Sequence, residues 1–397
     1  MTVSEYDTIV VGGGPIGSYI AKNIAKEKHS VALFEKDTLY KKPLSCAGLV
    51  SSRVFDFTGD SSKEAIQNKI KGANIHSPSD IVLKIGGDRI HALVIDRRFF
   101  DEKLMVSAKK EGVDIHLGYR VTSTTRNKKQ VEIKTSKNIN VKSSLIIGAD
   151  GPFSKIRNEF INYDPKEYLL GIGAEVTNVD LDPDFVEIFV GNNIAPGFFA
   201  WIIPTNKKGT TARVGLCTIQ NMAISPKAYF KKLFLNEPSK NFLKDAEIKE
   251  NIGGVIPLGF LKKTYDDNIM VVGDAAAQVK PTSGGGIFPG LACAKHCVST
   301  ALECIKRNDF SQKNLKEYHK KWTKEIGNEL NRGMKFRGIY KTLSDDTIDK
   351  YIKKFNNQKI IEAINEYGDI DFPSKLVKPL FKKAPSLIRL FPSILKD

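Results

Sequence analysis

The chain has 397 residues, 41% hydrophobic and 27% charged, with 61 Lys and Arg against 45 Asp and Glu for a formal charge of +16. That length exceeds one simple core and calls for about two or three lobes of an ordinary globular protein. The longest apolar candidate, Gly286 to Ile305, is broken by Lys295, His296 and Glu303, which argues against a membrane-spanning helix. The five cysteines form no CxxC and the six histidines are scattered, so neither a disulfide framework nor a metal site is expected.

The chain enters a strand almost at once, leaving no room for a signal peptide, and Ile9 to Val11 lead directly into Gly12-x-Gly14-x-x-Gly17. A helical stretch runs to Lys26, and a second strand, Val31 to Phe34, ends in Glu35. Such glycines permit a tight turn, close approach of a pyrophosphate and tight helix–strand packing, and the terminal acid accepts from a ribose hydroxyl. Residues 60–95 read as an excursion, with Ile81–Ile85, Gly86-Gly87 and Ile90–Val94 forming a hairpin. Arg97 to Gly112 reads as a helix with Phe100, Leu104 and Ala108 on one face. Strands at Val113–Ile115, Gln130–Thr135 and Leu145–Ile147 return to the first lobe, the last ending in Gly148-Ala149-Asp150-Gly151 with Ser154 and Arg157 behind.

Residues 158–255 are strand-rich, at Leu169–Val176, Phe185–Phe189, Phe198–Ile203 and Thr211–Cys217, and read as one sheet over a pocket. Ile269 to Val272 then feed Gly273-Asp274, small residues, Pro281 and Gly284-Gly285-Gly286. A buried strand leading into a Gly-rich turn and a helix presents backbone N–H groups to an anion. Residues 306–397 read as helical and lysine-rich, with 21 basic and 12 acidic residues, so +9 of the +16 lies there. That charge fits either a solvated surface or attraction to anionic lipid head groups. Nucleic acid is not expected, because the aromatics fall into no nucleic-acid motif. In the tail from Lys375, apolar residues recur every three to four positions between lysines, and Pro379, Pro385 and Pro392 break any long helix. It reads as a helical cap or as a basic lid that docks on a membrane.

The order GxGxxG, ADGxxSxxR, GDAA…P…GGG resembles flavoproteins of the para-hydroxybenzoate hydroxylase type. Within them the chain most resembles the geranylgeranyl reductases of archaea and photosynthetic organisms. The residues behind this are the loop Pro43–Val50, Asp96–Asp101, Pro196–Pro204 and Gly284–Ile287, and the match spans about residues 5 to 340. The resemblance implies an α/β protein with a Rossmann-like FAD-binding domain (1–60, 90–157 and 256–305). It further implies an inserted antiparallel β-sheet substrate domain (61–89 and 158–255) and a C-terminal helical region (306–397). It implies FAD held by Gly12, Gly14, Gly17, Glu35, Cys46, Ala47, Gly48, Arg97, Val121, Asp274, Gly285, Gly286 and Ile287. Phe199, Trp201 and Pro204 would line the substrate, and Cys46 is the candidate catalytic residue.

The implied activity is saturation of isoprenyl double bonds on prenyl lipids, with NADPH, ferredoxin or a similar electron donor, at the inner face of the membrane in the cytoplasm. An isolated alkene accepts hydride poorly, so such chemistry needs a dry apolar pocket with one placed acid. Cys46 reads either as that redox or proton-donating group or as a small residue tolerated beside the ring. Arg97 reads as a cofactor contact, and Arg98 as a surface arginine. Phe199 stands where the family has Tyr, so no proton donor is assigned there. A flavin monooxygenase or halogenase shares the cofactor motifs; the CAGLV loop and the GGGI ending favour the reductase. A non-catalytic prenyl-lipid binding protein, as Rab escort-type proteins are, would keep the glycines; intact Glu35, Arg97 and Asp274 favour a real flavin.

Overall fold

A computed structural model describes residues 4–39, 45–127, 130–220 and 224–383. The chain opens with β1 (Ser4–Val11), α1 (Pro15–Lys26) and β2 (Val31–Glu35). Short β3 (Leu49–Val50) and α2 (Val54–Thr58) precede β4 (Ile66–Ile70), β5 (Gly72–His76), β6 (Val82–Gly86) and β7 (Ala92–Ile95). Then come α3 (Arg97–Lys110), β8 (Asp114–Leu117), β9 (Val121–Arg126), β10 (Val131–Thr135), β11 (Asn140–Gly148) and α4 (Lys155–Phe160). The middle holds β12 (Glu167–Thr177), β13 (Phe185–Val190), β14 (Phe199–Pro204), β15 (Thr211–Ile219), α5 (Pro226–Leu235), α6 (Ser239–Leu243) and β16 (Glu247–Leu258). The last part holds β17 (Tyr265–Asp266), β18 (Ile269–Val271), α7 (Ile287–Arg307), α8 (Gln312–Trp322), α9 (Asn328–Tyr340), α10 (Asp345–Phe355), α11 (Gln358–Tyr367) and α12 (Val377–Lys383).

Strands β1, β11 and β18 lie side by side in parallel at the heart of an eight-stranded sheet, with β2 parallel on the other side of β1. All three glycine-bearing motifs leave the carboxyl ends of these strands, so the topology gathers them at one edge, where open α/β sheets bind ligands. Residues Ile9, Ile146 and Ile269 are fully buried between the sheet's two layers of cover. One face packs on α1 and α7, through Ile20, Ile24, Ala292 and Cys297, and α8 adds Tyr318 and Trp322 to the same cluster.

A seven-stranded sheet runs β16-β12-β15-β14-β13-β5-β6. Its pairings are antiparallel except for β13 with β5, which are parallel. Helix α5 covers one face with Tyr229, Phe230 and Leu233 against Ala200, Ile202 and Val214. Its start carries a legible signal, Ser225 capping Ala228 N–H with Pro226 in the first turn, which the strand-rich reading of this region passed over.

The expected hairpin at 81–94 does not form. β6 pairs with β5 at the edge of the large sheet, whereas β7 pairs with β3 and β4 in a separate three-stranded sheet. The burial of the two strands gives the reason. β7 is buried at all four positions and needs neighbours on both sides, while β6 is largely open to solvent, as an edge strand is. Among the described residues no helix is long and apolar enough to cross a membrane.

Candidate functional site

The turn from β1 into α1 separates glycines the fold needs from one it does not. Gly12 has φ +103°, and a Cβ there would lie 2.3 Å from the Ala149 carbonyl oxygen. A Cβ on Gly17 would lie 1.9 Å from the Gly12 carbonyl oxygen. Gly14 caps α1 in an extended conformation open to any residue, and a Cβ there meets nothing within 4 Å. Among the described residues nothing in the packing requires Gly14. Its bareness leaves room in front of a helix N-terminus, where unpaired N–H groups favour an anion. Glu35, 3% exposed, accepts from the N–H groups of Gly13 at 2.7 Å and Asp37 at 3.0 Å, which pins its carboxylate beside that space. A dinucleotide pyrophosphate and ribose fit this cradle.

The second cluster draws on three distant segments. Asp96 caps α3 by accepting from the N–H groups of Arg98 and Phe99. Arg97 then forms a fork with Asp101 one turn on, both bonds at 2.9 Å. The same guanidinium lies within electrostatic reach of Cys46 and of Asp274. Burial alone would lower the Arg97 pKa, but Asp101 and Cys46 hold it above the usual range. Burial pushes the Asp274 carboxyl up to about 6, with Arg97 opposing. The Cys46 sulfur accepts from Gly48 N–H at 3.3 Å, and Cys46 is the one cysteine of the five that is not buried.

The Gly-rich segment runs against this cluster. A Cβ on Gly286 would lie 2.8 Å from Asp274 Oδ1, and one on Gly285 would lie 2.9 Å from Lys280 Cε. Ile287 opens α7, buried beside Phe288. Ile16 of α1 locks both motifs together, since a Cβ on Gly273 or Gly290 would lie 3.2 Å or 2.7 Å from it. The ADGxxSxxR segment serves the same end. Asp150 accepts from the N–H groups of Lys155 (2.7 Å) and Ile156 (3.3 Å), and buried Arg157 donates to the carbonyls of Pro152 (2.9 Å) and Ala275 (3.3 Å). It fastens the end of β11 to the Asp274 turn.

Phe199 and Trp201 share a face of β14, half-buried and edge to face with ring centres 6.0 Å apart. Gly215 lies opposite Trp201, and a Cβ there would come within 2.7 Å of the indole. Trp201 packs in the same apolar cluster as Ala47 and Leu49. On β16, at the edge of the same sheet, a Cβ at Gly254 would lie 3.4 Å from the Ser45 carbonyl oxygen. The Cys46 loop therefore lies over a glycine-lined, aromatic face of the large sheet.

Two expected residues stand apart. Pro204 falls on the other face of β14 from Phe199 and Trp201, and its carbonyl accepts from Asn68 at 3.1 Å. The Val121 side chain is buried with Phe34 and Val131 in the core. Arg98 is not a surface arginine: it bonds Asp96 at 3.1 Å, Glu175 at 3.2 Å and Glu250 at 2.6 Å, tying α3 to the large sheet. Pro43 and Leu44, part of the loop motif, lie outside the described residues. The sequence reading missed Arg213, Arg337 and the pair Lys280–Asp371, which all brace this site. An arginine inside an apolar strand, as in Thr211 to Leu216, was the available signal for the first.

Residues 5–326 match the family described as FAD binding domain. Over 400 residues the chain is 33% identical to the digeranylgeranylglycerophospholipid reductase of Methanocaldococcus jannaschii, covering 98% of each. A solved structure from Thermoplasma acidophilum, described as geranylgeranyl bacteriochlorophyll reductase-like, is 25% identical with a TM-score of 0.84, covering 99% of this chain and 100% of that one. The myxobacterial chondrochloren halogenase is 16% identical with a TM-score of 0.71, covering 96% of this chain and 97% of its own, and shares the fold alone.

Proposed function

The chain belongs to the FAD-binding family that includes the digeranylgeranylglycerophospholipid reductases, and on that premise we propose that it is an FAD-dependent oxidoreductase saturating the isoprenyl double bonds of geranylgeranyl glycerophospholipids. The observation that carries this reading is the meeting of Cys46, Arg97 and Asp274 against the Gly284–Ile287 segment, beside the aromatic face of β14.

Reduced FAD, when bound, supplies the hydride for one alkene carbon. The chain supplies position, dryness and the proton. Gly14 leaves room where a pyrophosphate would sit, Glu35 would take the ribose, and Asp274 with Gly285 and Gly286 would hold the ring end. Phe199 and Trp201 offer an apolar wall to the prenyl chain and exclude water from the alkene. Cys46 carries a proton that can pass to the second alkene carbon, and Arg97 with Gly48 N–H stabilises the thiolate left behind. Phe199 has no hydroxyl to compete for that role. The lysine-rich C-terminal region would meet the anionic membrane that holds the substrate, at its cytoplasmic face, and a donor such as NADPH or ferredoxin would re-reduce the flavin.

The test is mass spectrometry of an unsaturated diether phospholipid after incubation with the FAD-loaded protein, yellow as purified and bleached by dithionite before the reaction. We expect a gain of two hydrogens per double bond. Cys46→Ser is expected to keep FAD and lose more than about tenfold in turnover, a barrier increase of about 1.4 kcal/mol or more. A reduced, FAD-loaded protein that leaves the lipid unchanged, or one that hydroxylates it in air, would sink the reading.

A further inference from the structure

Arg213 sits in the middle of β15 with no solvent exposure. A buried guanidinium survives only if its donors find acceptors. Its Nε donates to Glu175 at 3.1 Å and its Nη2 to Gln67 Oε1 at 2.7 Å. Its Nη1 donates to two backbone carbonyls, Ile95 at 2.7 Å and Ala47 at 3.1 Å. Those carbonyls flank the groups described above: Ala47 follows Cys46, and Ile95 stands two residues before Arg97. One nitrogen thus grips both strands of chain that carry the thiol–guanidinium contact.

The loop is moulded on this arginine. Gly48 has φ +74°, and a Cβ there would fall 2.2 Å from Arg213 Nη1 and 2.4 Å from the Ile95 carbonyl oxygen. The N–H of Ile95 closes the same junction by donating to the Gly48 carbonyl at 2.9 Å. Glu175 spreads the hold further, since its second oxygen accepts from Arg98, the residue next to Arg97. A planar fork of donors can make these contacts together; an ammonium cannot.

We propose that Arg213 is a positioning residue that sets the Cys46–Arg97 contact from the large sheet, without itself touching either side chain. Its catalytic consequence rests on the reading of Cys46 given above; the geometry it controls does not. The large sheet, which carries the aromatic face, thereby holds the thiol at a fixed height over that face.

The experiment is iodoacetamide labelling of the FAD-loaded protein, followed at the Cys46 peptide across the neutral to alkaline range. The other four cysteines are buried, so Cys46 dominates the early label. Arg213→Lys keeps the charge but replaces the fork with a point donor, and we expect its Cys46 alkylation rate to change by about fivefold or more with a displaced pH midpoint. Gln67→Leu removes only the Nη2 acceptor, and we expect a smaller change in the same direction. A merely structural brace would alter melting temperature and leave the pH midpoint in place. Wild-type rates and midpoints in both folded variants would overturn the proposal. If Arg213→Lys does not fold, the Gln67→Leu profile decides it in the same way. A displaced midpoint in these variants, combined with unimpaired turnover of Cys46→Ser, would remove the thiol from the reaction and leave the positioning role standing.

Discussion

Asp274 sits where binding and stability make opposite demands. Its carboxyl titrates near 6 in the folded chain because burial disfavours the charge and Arg97 offsets only part of that. In the unfolded chain an aspartate titrates near about 3.9, so the folded state holds the proton longer. The contribution of this group is therefore fully present below about pH 4 and is lost as pH rises through 6. Full ionisation costs the flavin-free protein on the order of 3 kcal/mol. Asp274→Asn mimics the protonated form, so at neutral pH the flavin-free variant is expected to melt above the flavin-free wild type, the gap closing toward about pH 4. It is also expected to bind FAD more weakly, because the carboxylate borders the Gly286 segment. Melting curves of both proteins across that range check this, and equal melting temperatures throughout would refute it. Cys46, Arg97 and Asp274 were each legible as motif residues. That the Arg97 guanidinium stands beside both of the others was not, because periodicity says nothing about which loops meet. Arg213 was hidden for a related reason: an arginine in a strand looks like a solvent-facing position until its neighbours on every side are known.

At the scale of elements, α9 does more than cap the fold. Arg337, 2% exposed, forks onto Glu167 at 2.6 and 3.0 Å and donates to the Gly197 carbonyl at 2.7 Å. Tyr340 donates to the Phe198 carbonyl at 2.6 Å. On the same helix, a Cβ at Gly333 would lie 2.9 Å from Pro281 Cδ. The helix thus joins the start of β14, with its aromatic face, to the Gly-rich segment. Removing one partner of a buried ion pair strands the other, at a typical cost of about 3–5 kcal/mol. Lys341 also reaches Glu167, at 3.3 Å, so for Arg337→Met we expect the lower end, about 3 kcal/mol. Urea unfolding reads this, and a change below about 1 kcal/mol would show that α9 is only laid on the surface. Strong strands such as β12, β14 and β15 were legible from alternation and turn residues. The separate partners of β6 and β7 were not, because two adjacent runs of strand residues read alike whether they pair with each other or with separate sheets. The fully buried pattern of β7 alone told against a simple hairpin.

At the scale of the molecule, the charge excess and the C-terminal strap act together. Asp371, 2% exposed, pairs with Lys280 at 2.9 Å and with Arg53 at 3.1 Å, and Phe372 meets Phe288 with ring centres 5.7 Å apart. Lys280 lies along Gly285, so the strap is fastened to the same segment that borders Asp274. Ser374 ends it by bonding to Glu329. Beyond this point comes exposed Lys375, and then α12 turns half-buried Val377, Leu380 and Phe381 one way and exposed Lys378, Lys382 and Lys383 the other. Residues 384–397, with Arg389 and Lys396, lie outside the described residues. Each basic side chain near an anionic bilayer contributes on the order of 1 kcal/mol. Lys375 and Lys383 already lean on Asp369 (3.5 Å) and Glu366 (3.3 Å), so the attraction falls short of six full charges. On the membrane reading proposed above, the remainder would still suffice for reversible, salt-sensitive docking with apolar residues to insert. A chain ending at Ser374 keeps the strap and the Lys280–Asp371 pair, and is expected to stay yellow while losing co-sedimentation with anionic liposomes at low salt. Equal, salt-insensitive partitioning of the full and shortened chains would place the membrane contact elsewhere.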